Sequence, residues 1–243
     1  MKPCLAIPIY DHGRTIGGVL HSLAPLGLVC LVVDDGSGDE TRRELERLQV
    51  RHAWVEVHRH PRNRGRGAAL RTAFRAAASK GMTHVLHLDA DGQHDAADVP
   101  RFLDVARARP DALVLGAPRF DESAPWIRLH GRKISQAIVW LETLSTAVQD
   151  PLCGFRCVPL APTLALCERT RMGDRMDFDP ELIVRLVRAG VPVVNVPTRV
   201  RYPPDGISHF RMLEDNLRIA WAYVRLALDG PWRARPTTSG APA

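Results

Sequence analysis

The sequence predicts an α/β fold, a three-layer sandwich in which helices cover both faces of a mostly parallel central sheet. Two observations in the first half of the chain support it. Short apolar runs alternate with amphipathic runs, and a polar cluster follows several of the apolar runs at its carboxyl end. Short apolar strands separated by helices are typical of parallel sheets that are buried on both faces. Ligands bind beyond the carboxyl ends of such strands, so we expect the polar clusters to share one cleft.

Each element is predicted from its hydrophobic period. Strands are expected at 5–9, 29–33, 55–58, 85–88 and 112–115, and helices between them at 16–23, 41–48, 68–78 and 99–108. The second half predicts a helix over 127–148, a loop over 150–156, a helix over 180–189, a strand over 193–202 and a helix over 210–228. No repeat or linker divides the chain. We therefore expect one domain over 1–229 and a disordered tail over 230–243.

The composition is that of a globular protein. Of 243 residues, 45% are hydrophobic and 25% are charged, and the formal net charge is +6. This charge suits a polyanionic ligand or an anionic membrane surface, and it is also compatible with an ordinary basic surface. No nucleic-acid motif accompanies it, so nucleic acid is not an expected partner. Five irregularly spaced cysteines, no apolar run of ~20 residues and no signal peptide predict a cytoplasmic protein.

Asp89, Asp91 and Gln93 follow the fourth predicted strand. If the chain stays extended there, alternation places the three side chains on the same side. Two carboxylates at ~6 Å repel by about 3 kcal/mol at an effective dielectric constant near 20, which a cation would offset. Oxygen ligands suit Mg²⁺ or Mn²⁺, and such an ion acts as a Lewis acid on a departing diphosphate. The alternative is a polar turn that begins the next helix.

Two further clusters are candidates for binding a nucleotide. Asp35, after the second strand, offers a carboxylate for a base N–H group or for ribose hydroxyls. The alternative is a turn in which Ser37 or Asp39 caps the next helix. The run 63–67 precedes a helix, and its backbone amides and arginines, including Arg66, are candidates for phosphate contacts. It lacks the third glycine of a dinucleotide fingerprint, and no Walker A loop occurs.

Together these motifs resemble glycosyltransferase family 2, in its dolichyl- or polyprenyl-phosphate mannosyltransferase-like branch. The matching segments keep the order of the family over about 5–210: IPIYDH (7–12), VVDDGSGDET (32–41), NRGRGAAL (63–70), LDADGQH (88–94), GAPR (116–119), DPLCGFR (150–156) and FDPELI (178–183). The resemblance implies a Rossmann-like GT-A fold and an inverting, metal-dependent hexosyltransferase. It also implies a GDP- or UDP-sugar donor and an acceptor that is lipid-linked, such as a polyprenyl phosphate, or a small hydroxyl compound.

The resemblance also implies roles at matching positions. The residues implied to line the nucleotide pocket are Pro8, Tyr10, His12, Val33 and Asp35. Those implied to bind Mg²⁺ or Mn²⁺ are Asp89, Asp91 and Gln93, with Ala90 and Asp91 beside the diphosphate. Those implied on the acceptor side are Arg119, Arg132 and Ser135. The sequence departs from the branch at 202–209, where His209 replaces a lysine and Pro or Asp replaces an arginine, with Arg201 or Arg211 as candidate replacements.

The acceptor decides whether a general base is required. A phosphate is already anionic, whereas a hydroxyl needs a carboxylate or histidine within hydrogen-bond reach. The candidate bases are Asp150, Asp179, Glu181 and His209. Asp179 and Glu181 also begin a predicted helix, where acidic residues are favoured in any case.

Other interpretations stay open from the sequence. One is a sugar-nucleotide nucleotidyltransferase, although the loop after the first strand is a poor match to a triphosphate-binding loop. Another is a degenerate module that binds a nucleotide-sugar without turning it over. The last predicted helix, apolar over 219–228 and containing Trp221 and Tyr223, is expected to pack on the domain. Peripheral contact with the inner face of the membrane or a homodimer contact are its alternatives.

Overall fold

The computed structural model describes residues 1–120, 126–200 and 211–230. Within these ranges there are seven strands: β1 (Pro3–Ile9), β2 (Cys30–Asp34), β3 (Val55–Arg59), β4 (His84–His87), β5 (Leu113–Phe120), β6 (Arg156–Pro159) and β7 (Val193–Val200). The α-helices are α1 (Gly13–Leu23), α2 (Asp39–Arg51), α3 (Arg66–Ser79), α4 (Val99–Ala108), α5 (Trp126–Thr143), α6 (Leu160–Arg169), α7 (Phe178–Arg188) and α8 (Met212–Asp229). The predictions for Arg201, His209 and nearly all of the tail fall outside the described residues.

The strands form one sheet in the order β3-β2-β1-β4-β6-β5-β7. Every neighbouring pair is parallel except those of β6, which runs antiparallel to both β4 and β5. The carboxyl ends of β1, β2, β4 and β5 therefore share one edge with the amino end of β6, where Arg156 pairs with His87. We call this the carboxyl edge. The prediction of a mostly parallel sheet is confirmed.

Helices pack on both faces of the sheet. One core cluster joins the strands to α3, α7 and α8 through side chains such as Phe74, Phe178 and Tyr223. The other joins them to α1, α2 and α4 through residues such as Ile16 and Phe102. The amphipathic period that predicted these helices also fixes which side of each one faces the sheet.

The second half contains two elements that the sequence did not predict. β6 and α6 lie where a loop was expected or no element was assigned, because β6 has only four residues and begins with a charged one, Arg156. The helix predicted over 127–148 is α5, which ends at Thr143. Leu144 has a φ of 50°, a left-handed conformation that an α-helix does not continue through. The apolar residues at 144 and 148, which fit the helical spacing, therefore lie in a loop.

Candidate functional site

The loops after β1 and β2 form one wall of the carboxyl edge. The backbone N–H of Asp11 donates to Ser37 Oγ at 3.0 Å, and the N–H of Gly38 donates to Asp11 Oδ1 at 2.8 Å. Gly38 is the N-cap of α2, and no side chain caps this helix. Asp11 has a φ of 51°, which is uncommon for a residue with a side chain, and the two hydrogen bonds hold it there. Tyr10 and His12, on either side, are half-buried in this wall.

The buried carboxylate of Asp35 organises the loop that leads into α3. Its Oδ1 accepts hydrogen bonds from His60 Nδ1 at 2.7 Å and from the backbone N–H of Arg64 at 2.9 Å. Its Oδ2 accepts from the N–H of Gly65 at 2.6 Å. Because both oxygens are used inside the protein, the geometry gives Asp35 a positioning role for the loop 60–65.

The other residues implied for the nucleotide pocket lie inside the domain. Pro8 and Val33 are partners in the parallel register of β1 and β2, and both are buried. Ala90, just after β4, is buried as well, and its carbonyl oxygen accepts a hydrogen bond from Thr15 Oγ1 at 2.6 Å. The side chains of Pro8, Val33 and Ala90 therefore set the position of the backbone at the carboxyl edge.

Arg66, the first residue of α3, joins two carboxylates from distant parts of the chain. Its Nη1 forms an ion pair with Asp89, and its Nε donates to Asp179 Oδ2 at 2.8 Å. Arg156, fully buried at the start of β6, has its Nη2 3.5 Å from the same Asp179 oxygen. We call Arg66, Arg156, Asp89 and Asp179 the arginine network. Its two positive and two negative charges balance.

The arginines keep both carboxylates of the network ionised. Burial raises the pKa of Asp179, but Arg156 and Arg66 outweigh burial and hold this pKa below its ordinary value. Burial also raises the pKa of Asp89, which Arg66 and His94 together bring well below its usual range. His94 Nε2 lies 3.5 Å from Asp89 Oδ2. Each oxygen of Asp89 therefore already faces a positive group or a ring nitrogen.

The turn before β6 closes over the arginine network. A Cβ atom at Gly154 would lie 2.2 Å from Asp89 Oδ2 and 2.9 Å from Arg66 Nη2, so only glycine allows this close approach. In the described part of the chain, Arg66 Nη2, Arg156 Nε and both ring nitrogens of His87 are buried without a hydrogen-bond partner. Buried polar atoms normally find a protein or water partner. The network therefore has unused capacity to bind water or the polar atoms of a ligand.

Asp91 has different surroundings from Asp89. It is half-buried, and its Oδ1 accepts the backbone N–H of Gln93 at 3.0 Å. It lines a groove of about 360 Å³ along α1, together with Arg14, Gly18 and His94. Burial raises the pKa of Asp91, and the charge of Asp89 raises it further. Within the described ranges Asp91 belongs to no ion pair, so its carboxylate is available to a cation.

The expected convergence of Asp89, Asp91 and Gln93 depends on an extended chain, and the structure has a turn there instead. Gly92 has a φ of 73°, and the residues after β4 leave the strand conformation. Alternation therefore does not apply beyond the strand. Nowhere in residues 1–120, 126–200 and 211–230 do three or more His, Cys, Asp or Glu side chains form a group that could hold a metal ion. Within the described residues, this edge therefore offers one metal ion at most two side chains of these four types.

Arg132, which is implied on the acceptor side, is paired with the candidate base Asp150. Arg132 Nη1, on α5, donates to both carboxylate oxygens of Asp150 at 2.8 and 2.7 Å. Ser135, one turn further along α5, is buried. Arg119 lies exposed near the end of β5, opposite Arg199 of β7 in the register. The pair between Arg132 and Asp150 fixes the turn before β6 to α5.

Glu181 is fully buried and holds α7 against α8. Its Oε1 accepts from Arg185 Nη2 at 2.9 Å, and its Oε2 accepts from Arg225 Nη2 and from the backbone N–H of Gly173, both at 3.1 Å. A general base needs a lone pair that faces the substrate. Because both oxygens are used by arginines and backbone, this geometry favours a structural role for Glu181.

Several residues that build this edge were not predicted from the sequence. Arg156 and His94 lie in the segments DPLCGFR and LDADGQH, which were singled out, but nothing in their local pattern shows that they reach Asp179 and Asp89. His60 lies outside every singled-out segment. A charged residue in a short strand points to a candidate site only when the structure shows that the residue is buried.

Comparisons with known proteins match most of the chain to a described family. The sequence model described as "Glycosyl transferase family 2" matches residues 4–169. A polyprenol monophosphomannose synthase from Mycolicibacterium smegmatis is 27% identical over 237 residues, which cover 90% of this chain and 84% of that protein. An undecaprenyl-phosphate mannosyltransferase from Micrococcus luteus is 26% identical over 208 residues, which cover 81% of this chain and 82% of that protein.

The fold is also shared with solved structures. A mannosyltransferase from Pyrobaculum calidifontis, solved in complex with GDP-Man and Mn²⁺, matches with a TM-score of 0.60 at 16% identity. The match covers 94% of this chain and 74% of that one. At this identity the likeness shows the fold. The predicted GT-A three-layer sandwich is confirmed.

Proposed function

The chain belongs to glycosyl transferase family 2, and on that premise we propose that it transfers a hexose from a GDP- or UDP-sugar to a polyprenyl phosphate. The transfer inverts the anomeric carbon, and Mg²⁺ or Mn²⁺ assists it at the donor diphosphate. The observation that carries the proposal is Asp91, a carboxylate at the carboxyl edge with a raised pKa and no ion pair in the described residues. The names of the two mannosyltransferase relatives support the choice of sugar and acceptor.

The residues present fit a metal ion that the substrate brings with it. Mg²⁺ commonly binds through one or two carboxylates, substrate phosphate oxygens and water, without a cage of protein ligands. Asp91 would supply the carboxylate, and Gln93 and Asp89 lie beside it in the chain. When bound, the ion would act as a Lewis acid on the departing nucleoside diphosphate. The neighbour solved with GDP-Man and Mn²⁺ supports divalent-ion use in this fold.

The three candidate bases that the structure describes support an acceptor that is already ionised. Asp150 is held by Arg132, Asp179 by Arg66 and Arg156, and Glu181 by two other arginines. A carboxylate whose charge is neutralised by an arginine is a poor proton acceptor. A phosphate acceptor needs no proton removed, so these pairs are compatible with transfer to a polyprenyl phosphate and unfavourable for a hydroxyl acceptor.

The remaining candidate residues would orient the two substrates. Tyr10 and His12 would contact the nucleotide from the wall after β1, and Asp35 would act through the loop 60–65 that it holds. Arg119 and Arg132 would lie on the acceptor side, where guanidinium groups attract phosphate oxygens. Arg66 would keep Asp89 ionised and in place next to Asp91.

A transfer assay tests the proposal. The purified chain is incubated with radiolabelled GDP-mannose or UDP-glucose and undecaprenyl phosphate in detergent, with Mg²⁺, Mn²⁺ or EDTA. We expect metal-dependent labelling of the lipid and release of the nucleoside diphosphate. Formation of nucleotide-sugar from a nucleoside triphosphate and a sugar phosphate, without transfer, would support a nucleotidyltransferase. Metal-dependent nucleotide binding with no turnover on any acceptor would support a binding module.

A further inference from the structure

The outer sides of α5 and α8 expose large apolar side chains. On α8 the exposed large side chains follow each other at intervals of three or four residues: Leu213, Leu217, Trp221, Val224 and Leu228. On α5 the corresponding residues are Ile134 and Leu141, and Leu144 is exposed directly after the helix ends. Intervals of three, four and seven residues place the exposed apolar residues of each helix on one side of it. We call these eight residues the apolar face.

The apolar face is one surface, because its two helices are neighbours in the same layer. α8 packs on both α5 and α7, and Val139 of α5 and Ile219 of α8 belong to the same buried cluster. The opposite sides of both helices therefore point outward together. Trp221 is 59% exposed, and Leu141 and Leu228 are 74% and 76% exposed. Soluble monomers seldom expose a contiguous apolar patch of this kind without a binding role.

The charges around the apolar face are basic. Lys133 on α5 and Arg218 on α8 are exposed and form no ion pair with any described residue. The exposed acid on this side of α8, Glu214, is paired with Arg211 at 2.7 Å. The sequence after α8, PWRARPTTSGAPA, contains a tryptophan, two arginines and no acidic residue. A second copy of the chain would bring like charges together across a two-fold axis, whereas an anionic surface would neutralise them.

We propose that the apolar face docks on an anionic phospholipid bilayer, with α5 and α8 lying in the plane of the lipid headgroups. Helices that combine an apolar side, basic residues and tryptophan bind membranes in this way. No helix of the described ranges is both long and apolar enough to cross a bilayer. The proposal rests on the lipid-linked acceptor proposed above. The helix α5 carries both part of the apolar face and Arg132, which is implied on the acceptor side. The same helix would thus join the lipid surface to the acceptor side of the carboxyl edge.

Vesicle flotation tests the docking surface. The full chain is mixed with vesicles of phosphatidylcholine, with or without phosphatidylglycerol, and the bound fraction is measured at low and high salt. We expect binding to the phosphatidylglycerol vesicles that weakens with salt. The double variant Leu217→Glu/Trp221→Glu should bind at least ~10-fold more weakly, since it places two charges in the apolar face. The matched control is Val50→Glu, on the exposed side of α2, which should bind like the wild type.

Two readouts separate the failure of this inference from the failure of the proposed function. Transfer to a short, water-soluble polyprenyl phosphate should be the same in the double variant and the wild type, since neither residue touches the carboxyl edge. Absence of wild-type binding to anionic vesicles, or equal binding of the double variant, would overturn the docking surface even if transfer is active. Light scattering that shows a dimer for the wild type and a monomer for the double variant would also overturn it, in favour of a second copy.

Discussion

Asp89 and Asp91 stand two residues apart at the end of β4, yet their surroundings differ. Asp89 faces Arg66 and His94, and it belongs to a buried network whose charges balance. Asp91 faces the groove along α1, where burial and the charge of Asp89 raise its pKa. The comparison shows that a carboxylate at a strand end is a candidate ligand when its charge is left uncompensated. A carboxylate that the fold has neutralised contributes stability and position instead.

The largest expected effect is the loss of turnover when Asp91, whose charge is not compensated, is substituted. Asp91→Asn should lower turnover by about 10³-fold or more, because several kcal/mol of transition-state stabilisation depend on a metal held by this carboxylate. The free energy of unfolding should not fall, since the substitution removes a charge that burial disfavours. Steady-state transfer kinetics and urea unfolding measure the two quantities. Asp104→Asn, on the exposed side of α4, is the matched control, and near-wild-type turnover in Asp91→Asn would reverse the assignment.

Substitutions in the arginine network should lower the free energy of unfolding. Arg66→Met leaves Asp89 and Asp179 buried without this partner, and removing one member of a buried ion pair costs about 3–5 kcal/mol. Arg14→Met is the matched control, because Arg14 pairs with Glu40 on the surface, where such pairs contribute about 0–1 kcal/mol. Urea unfolding at neutral pH compares the two variants. Equal, small losses would mean that the arginine network does not stabilise the fold.

A smaller effect distinguishes a structural Glu181 from a catalytic one. Glu181→Gln weakens the bonds to Arg185 and Arg225 and should cost about 1–3 kcal/mol of unfolding free energy. Under conditions where the variant remains folded, turnover should stay within about 3-fold of the wild type. Loss of a general base would lower turnover by about 10²–10⁴-fold instead. A loss of stability with little loss of turnover would therefore indicate a structural role, and a large loss of turnover would indicate a catalytic role.

The smallest expected effect is a change in the free energy of unfolding at acidic pH. The pKa of Asp179 is lower in the folded chain than its ordinary value of 3.8, so the unfolded chain takes up a proton first as the pH falls. The stabilisation from ionised Asp179 is fully present above about pH 5 and is lost as the pH falls through the folded pKa. The stability difference between wild type and Asp179→Asn should therefore shrink with acidification, by about 1.4 kcal/mol for each unit of pKa lowering. A difference that is constant from pH 7 to pH 3 would contradict the ion pairs of this residue.

The sequence alone determined the layer architecture and the edge at which the polar motifs meet. Hydrophobic period is a local property, so each strand and helix of the first half was readable to within a few residues, except that β5 runs to Phe120, five residues past its predicted end. The family resemblance came from the same ordered motifs, and the match over residues 4–169 confirms it. The site assignments that the resemblance implied remain predictions.

The tertiary structure decided which of the singled-out carboxylates are neutralised. Arg66 and Asp179 are 113 residues apart in the chain, and Glu181 meets Arg225 from 44 residues away. Such pairs form only when the helices are packed, and no local period records them. The turn that begins at Ala90 likewise gives Asp89 and Asp91 different surroundings, because strand alternation ends where the strand ends. Charge compensation is a property of the assembled fold, and the side chains that supply it come from several elements at once.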